Sequence, residues 1–158
     1  MFSRLALVAL ATLTASCGDD ITAPADGQGS DAPLAVLSAE GDDLVIERGY
    51  ARPVIVGGNS AAYLTLRADA ADVLATAASD AFDVVELHRT TSEGGMMRMA
   101  PVERIDLPAG ETVELAPGGY HLMLMSARRD LAEGETVPIY LGFGSGRSIE
   151  VQLPVERR

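Results

Sequence analysis

Tyr120-His121-Leu122-Met123-Leu124-Met125-Ser126 alternates with a period of two. Successive side chains of a β-strand point to opposite faces, so His121, Met123 and Met125 share one face while Leu122 and Leu124 share the other. One face buries aliphatic carbon, and the other aligns nitrogen and sulfur. Asp83-Val84-Val85-Glu86-Leu87-His88 repeats the arrangement, with Val85 and Leu87 toward a core and Val84, Glu86 and His88 away from it. Outward from these two stretches, short β-type runs alternate with turn residues from Asp43 onward, and no window holds a convincing amphipathic helix. The pattern predicts an all-β sandwich or barrel. Strands are expected at Leu44–Ala51, Ala61–Arg67, Val73–Ala78, Asp83–Thr90, Met96–Ile105, Thr112–Leu115, Tyr120–Ser126, Val137–Phe143 and Ser148–Leu153. Gly57-Gly58-Asn59, Glu93-Gly94-Gly95, Pro117-Gly118-Gly119 and Gly144-Ser145-Gly146 supply the backbone freedom that the joints between them require.

The region His88 to Met125 also holds the unusual residues. Both histidines lie in it with five of the six methionines, Met96, Met97, Met99, Met123 and Met125. Methionine used only as filler would scatter among Leu and Val. Here the thioethers cluster with the imidazoles, and soft sulfur combined with imidazole suits Cu(I) better than other common biological metals. The hairpin joining His88 to Met99 has two readings. A two-residue turn at Glu93-Gly94 places His88 opposite Met99, whose Cβ atoms would then lie about 4.5–5.5 Å apart. A turn at Gly94-Gly95 instead pairs Thr90 with Met99 and leaves His88 on the diagonal. Glu86 shares the face of His88 and is a candidate to orient that imidazole.

His88, Met99, His121 and Met123 are separated by ten residues, twenty-one residues and one residue. This spacing resembles the H-x10-M-x21-H-x-M motif of the periplasmic copper chaperone family PCu(A)C. The flanks agree: Val85-Glu86-Leu87-His88, Met97-Arg98-Met99, Leu107-Pro108-Ala109-Gly110 and Pro117-Gly118-Gly119-Tyr120-His121-Leu122-Met123-Leu124, with similarity from about Asp43 to Val155. The resemblance implies a cupredoxin-like Greek-key β-sandwich. Asp130-Leu131-Ala132-Glu133-Gly134 resembles the loop that the family places after the His-x-Met strand, and a short helical turn is anticipated there. The resemblance also implies one Cu(I) per chain held by His88, Met99, His121 and Met123; Met97 and Met125 share the strand faces of Met99 and Met123 and are candidate alternates. Delivery would be to the binuclear copper centre in cytochrome c oxidase subunit II, alone or with a thiol-bearing co-chaperone. The chain end, Pro154-Val155-Glu156-Arg157-Arg158, lacks the Met- or His-rich tail that some relatives carry. Two other readings stay open: an envelope copper-buffering protein without an obligatory recipient, and a metal-free binding sandwich.

The 158 residues accommodate one domain. Residues 1–17 read as a signal peptide of lipoprotein type, with Arg4 as the positive region and Leu5 to Leu13 as an apolar run too short to span a membrane. Cys17 follows Leu13-Thr14-Ala15-Ser16, where a lipoprotein carries its acylated cysteine, so an exported protein anchored by lipid at Cys17 is expected. Residues 18–40, rich in Asp, Gly, Ala, Ser and Thr, have the composition of a flexible acidic tether, and 41–158 form the sandwich domain. Cys17 is the only cysteine, which excludes an intramolecular disulfide and any thiolate ligand inside the domain. The formal charge of −11 becomes −12 once Arg4 leaves with the leader. An acidic surface of that size repels nucleic acid and anionic headgroups, so the membrane is met only through the anchor. No Gly-x-Ser-x-Gly, phosphate loop or His-Glu-x-x-His occurs, so the reading is of a monomeric carrier and not an enzyme.

Overall fold

The computed structural model describes residues 43–158; the leader, Cys17 and the tether lie outside them. Ten strands, and no helix, make up the described residues: β1 Leu44–Ala51, β2 Ser60–Ala68, β3 Asp72–Ala78, β4 Phe82–Glu93, β5 Met96–Pro101, β6 Ile105–Leu107, β7 Thr112–Leu115, β8 Tyr120–Ala127, β9 Thr136–Phe143 and β10 Ser148–Pro154. They form a six-stranded sheet in the order β1-β2-β7-β8-β4-β5 and a four-stranded sheet in the order β10-β9-β3-β6. This is the expected cupredoxin-like Greek-key β-sandwich.

Alternation builds the core. In β9 and β10, Val137, Ile139, Leu141, Ile149, Val151 and Leu153 point inward and are almost fully buried. From the larger sheet, Ile46, Leu64, Leu66, Leu87, Leu122 and Leu124 meet them. Two sheets with aliphatic inner faces must stack to remove that surface from water, at roughly 25 cal/mol per Å² of apolar area.

Two sequence expectations change, and one left open is resolved. The run Met96–Ile105 is not one strand: β5 ends at Pro101, and the chain crosses to the other sheet, where β6 pairs with β3. Pro101 has no N–H to continue a ladder. Val102 donates its N–H to the Leu87 carbonyl before the crossing, and Ile105 and Leu107 then enter the core from the second sheet. The loop at Asp130–Gly134 is not helical, because Leu131 is buried and its backbone bridges Val54.

Of the two readings of the β4–β5 hairpin, the structure adopts the turn at Gly94-Gly95. The register pairs Glu93 with Met96, Ser92 with Met97, Thr90 with Met99 and His88 with Pro101. The turn is therefore Gly94-Gly95, with φ of 59° and 79°. A two-residue turn whose twist matches the strands needs positive φ at both central positions. The Glu93-Gly94 alternative would force Glu93 into that region, which costs a residue with a Cβ about 1–2 kcal/mol. His88 consequently does not face Met99.

Candidate metal centre

What does face His88 is His121. The β4–β8 pairing sets His88 opposite His121, Glu86 opposite Met123 and Val84 opposite Met125, all on the outer face of the larger sheet. The two imidazole ring centroids are 5.8 Å apart with planes at 54°. Two metal–imidazole bonds of about 2 Å each fit within that separation.

Each ring is oriented by one nitrogen. His88 Nε2 lies 2.9 Å from Glu86 Oε2, the contact anticipated for Glu86. His121 Nδ1 lies 3.2 Å from the Gly119 carbonyl oxygen, which also accepts the Thr90 N–H. Both acceptors lack a proton, so in the neutral rings the N–H is assigned to these nitrogens. The opposite nitrogens, His88 Nδ1 and His121 Nε2, then carry bare lone pairs. They are the two buried side-chain nitrogen or oxygen atoms without a hydrogen-bond partner among the described residues. An unsatisfied buried polar atom costs about 1–3 kcal/mol. A cation bound between the strands would relieve both costs at once.

Burial is graded across the site. His121 is 3% exposed, shielded on one side by Tyr63 of β2, whose ring centroid lies 6.3 Å away and which itself packs on Tyr50 at 5.1 Å. Burial first, and then the neighbouring Tyr63, hold the Tyr50 hydroxyl above its usual pKa, so this phenol is neutral, while the Arg158 guanidinium stacks 5.2 Å over its ring. The sulfurs are more open: Met123 is half-buried and Met99 is 56% exposed. Met99 and Met123 both line a cleft of about 720 Å³. Its wall also carries Tyr63, Arg52, Arg157 and Arg158. A buried His121 and a part-buried His88 thus sit beside thioethers that open to solvent.

Met97 and Met125 stand one step further from the imidazoles along their strands, at the rows of Ser92 and Val84. No group of three or more His, Cys, Asp or Glu side chains that could hold a metal occurs among the described residues. The outer face beside the His pair carries the thioethers of Met123, opposite Glu86, and Met99, opposite Thr90. Sequence reasoning missed the orienting role of the Gly119 carbonyl and the shielding by Tyr63. The Pro117-Gly118-Gly119 turn two residues before His121 was the available signal for the first, and nothing local signalled the second.

Comparison with known proteins decides the family. Residues 44–155 match the family described as "Putative lipoprotein LpqE-like". The chain belongs to the LpqE-like family. Among its relatives, "Uncharacterized protein RP573" of Rickettsia prowazekii is 32% identical over 134 residues, which cover 76% of this chain and 74% of that protein. "Putative lipoprotein Lxx21020" of Leifsonia xyli subsp. xyli is 34% identical over 85 residues, covering 53% of this chain and 51% of that protein; the LpqE-like chain thus spans about half of that relative's length. The solution structure of apo-DR1885 from Deinococcus radiodurans has a TM-score of 0.59 and 32% identity, covering 93% of this chain and 95% of that one. Its CuI form has a TM-score of 0.54 at 32% identity, covering 76% of this chain and 84% of that one. PCuAC domains share the sandwich, in agreement with the family resemblance of the sequence. No described helix is long and apolar enough to cross a membrane.

Proposed function

We propose that this protein is a cell-envelope Cu(I) carrier that binds one ion per chain through His88, Met99, His121 and Met123 and hands it to another protein. One observation carries the reading: His88 and His121 pair across β4 and β8 with ring centroids 5.8 Å apart, and each ring has one buried nitrogen without a hydrogen-bond partner. Neutral imidazole and thioether ligands leave the ion's own charge uncompensated, and the donor set is soft to borderline, which favours Cu(I) over Zn(II) or Cu(II). That the similar DR1885 was solved with CuI supports the ion. Exposed sulfur on one side of the site lets an incoming ligand reach the ion, which favours transfer over permanent storage. Transfer to a thiolate site is downhill, because thiolates are the softer, anionic ligands. The proposed recipient is the binuclear copper centre of cytochrome c oxidase, directly or through a thiol-bearing partner. The protein itself makes and breaks no covalent bond of a substrate.

The test joins a Cu(I) titration to a gene deletion. Tight binding of one ion, with lost oxidase activity that added copper restores, is the expected result. Copper sensitivity with normal respiration would favour buffering, and failure to bind Cu(I) would leave a metal-free sandwich.

Two further expectations follow from individual residues. Glu86→Ala removes the acceptor that holds the proton of His88 on Nε2, so the ring is free to turn or change tautomer. Loss of such an orienting partner weakens metal binding by about 10–100-fold. Competition against a chromophoric Cu(I) chelator reads this directly, and an unchanged affinity would remove Glu86 from the site. The second concerns anchoring, which the lipoprotein names of the family and of one relative support. Cys17→Ser should release the protein from the membrane fraction into the soluble one, and mass spectrometry of the native N-terminus should find an acylated Cys17. An unmodified terminus would reject the anchor.

A further inference from the structure

Met97 lies outside the donor set proposed above, yet its placement calls for a role. It is 70% exposed on β5, the edge strand of the larger sheet, beside neighbours Met96 at 62% and Met99 at 56%. Edge strands ordinarily carry charge or proline, because exposed apolar residues there invite other chains to pair. Three solvent-facing methionines run against that rule.

The register supplies a reason. On the outer face the donors descend in steps of two residues: Met97 opposite Ser92, Met99 opposite Thr90, then His88, which faces His121. Ser92 and Thr90 offer only hard hydroxyl oxygens, so sulfur is the soft donor at each of these two steps. Residues two apart on a strand have Cα atoms about 6.6 Å apart, and the unbranched thioether chains are flexible enough to converge on one ion. Met96 alternates to the opposite face and cannot join them.

We propose that Met97 and Met99 form an exposed landing site for Cu(I), from which the ion moves inward to His88 and His121 while Met99 stays bound. In the transfer the bond from copper to the Met97 sulfur breaks as bonds to imidazole nitrogen form. Copper remains Cu(I) throughout, and no proton or electron moves, because the buried nitrogens already bear lone pairs. The inference rests on the copper-carrier reading and adds a kinetic site to it. A donor used only in passage lowers the barrier for uptake and release alike, so it changes both rates and leaves the equilibrium affinity alone.

Stopped-flow exchange with the bis-bicinchoninate complex of Cu(I) tests this in wild type, Met97→Leu and Met96→Leu. All three are first titrated with Cu(I) at equilibrium. Met97→Leu should slow uptake and release by about tenfold each, equivalent to ~1.4 kcal/mol on the shared barrier, with its Kd within about twofold of wild type. Met96→Leu, equally exposed but on the other face, should match wild type. Unchanged rates in Met97→Leu, or equal slowing in both variants, would overturn the landing site. Faster release with weaker affinity would also overturn it, by making Met97 a resident ligand. A wild-type protein that binds no Cu(I) in the titration would instead sink the carrier reading itself.

Discussion

His121→Ala should weaken Cu(I) binding by more than about 100-fold, beyond the range expected when only an orienting partner is lost. His121 is the donor with the least freedom to be replaced. It is buried, its Nδ1 is committed to the Gly119 carbonyl, and its Nε2 has no hydrogen-bond partner. Tyr63 packs beside the ring on the β2 side, with centroids 6.3 Å apart. Met125→Leu, one row further along the same strand, should leave the affinity nearly unchanged. The apo form of His121→Ala should remain folded by circular dichroism, since the substitution also removes an unsatisfied buried nitrogen. X-ray absorption of the wild-type Cu(I) form should find both nitrogen and sulfur neighbours. A sulfur-free shell, or equal effects of His121→Ala and Met125→Leu, would dismantle the assignment.

The largest effect on stability should come from the residue between the two donors. Leu122 is fully buried on the inner face of β8, and Leu122→Ala should cost about 2–5 kcal/mol. Domains of this kind have only about 5–15 kcal/mol in total, so the variant loses a large share of its margin. Urea denaturation would show the lower midpoint with a similar slope. The loss should be the same with and without copper, because the aliphatic core lies on the opposite face of the sheet from the imidazoles. Removing copper from wild type should cost no more than a comparable amount: at a free concentration a thousandfold above Kd, a bound ligand adds about 4 kcal/mol. An apo protein that is largely unfolded would show that the ion, and not the leucine face, holds the sheets together.

The two expectations separate what can be read locally from what cannot. Leu122 and His121 are assigned to opposite faces by alternation alone, a property of one strand's backbone that needs no knowledge of its neighbours. The same local rule placed Met123 and Met125 beside His121 in direction, and Val85 and Leu87 away from His88. The hairpin was less legible. Both glycine-containing turns were sterically conceivable in the sequence, and only the positive φ at Gly94 and Gly95 excludes the one that puts Glu93 in a strained position.

By itself, then, the sequence determined every strand but the divided run Met96–Ile105, the leucine face, the clustering of imidazole with thioether and the absence of a thiolate inside the domain. Tertiary structure alone decided that His88 meets His121. The pairing of β4 with β8 joins residues 33 positions apart, counted from 121 − 88, and such register depends on how whole sheets bury their inner faces. It alone sent Ile105 and Leu107 to the second sheet, where a crossing after Pro101 buries both. It also decided which nitrogen of each ring is left bare. That depends on a carboxylate and a carbonyl held at hydrogen-bonding distance, and distances between side chains are set by packing in three dimensions.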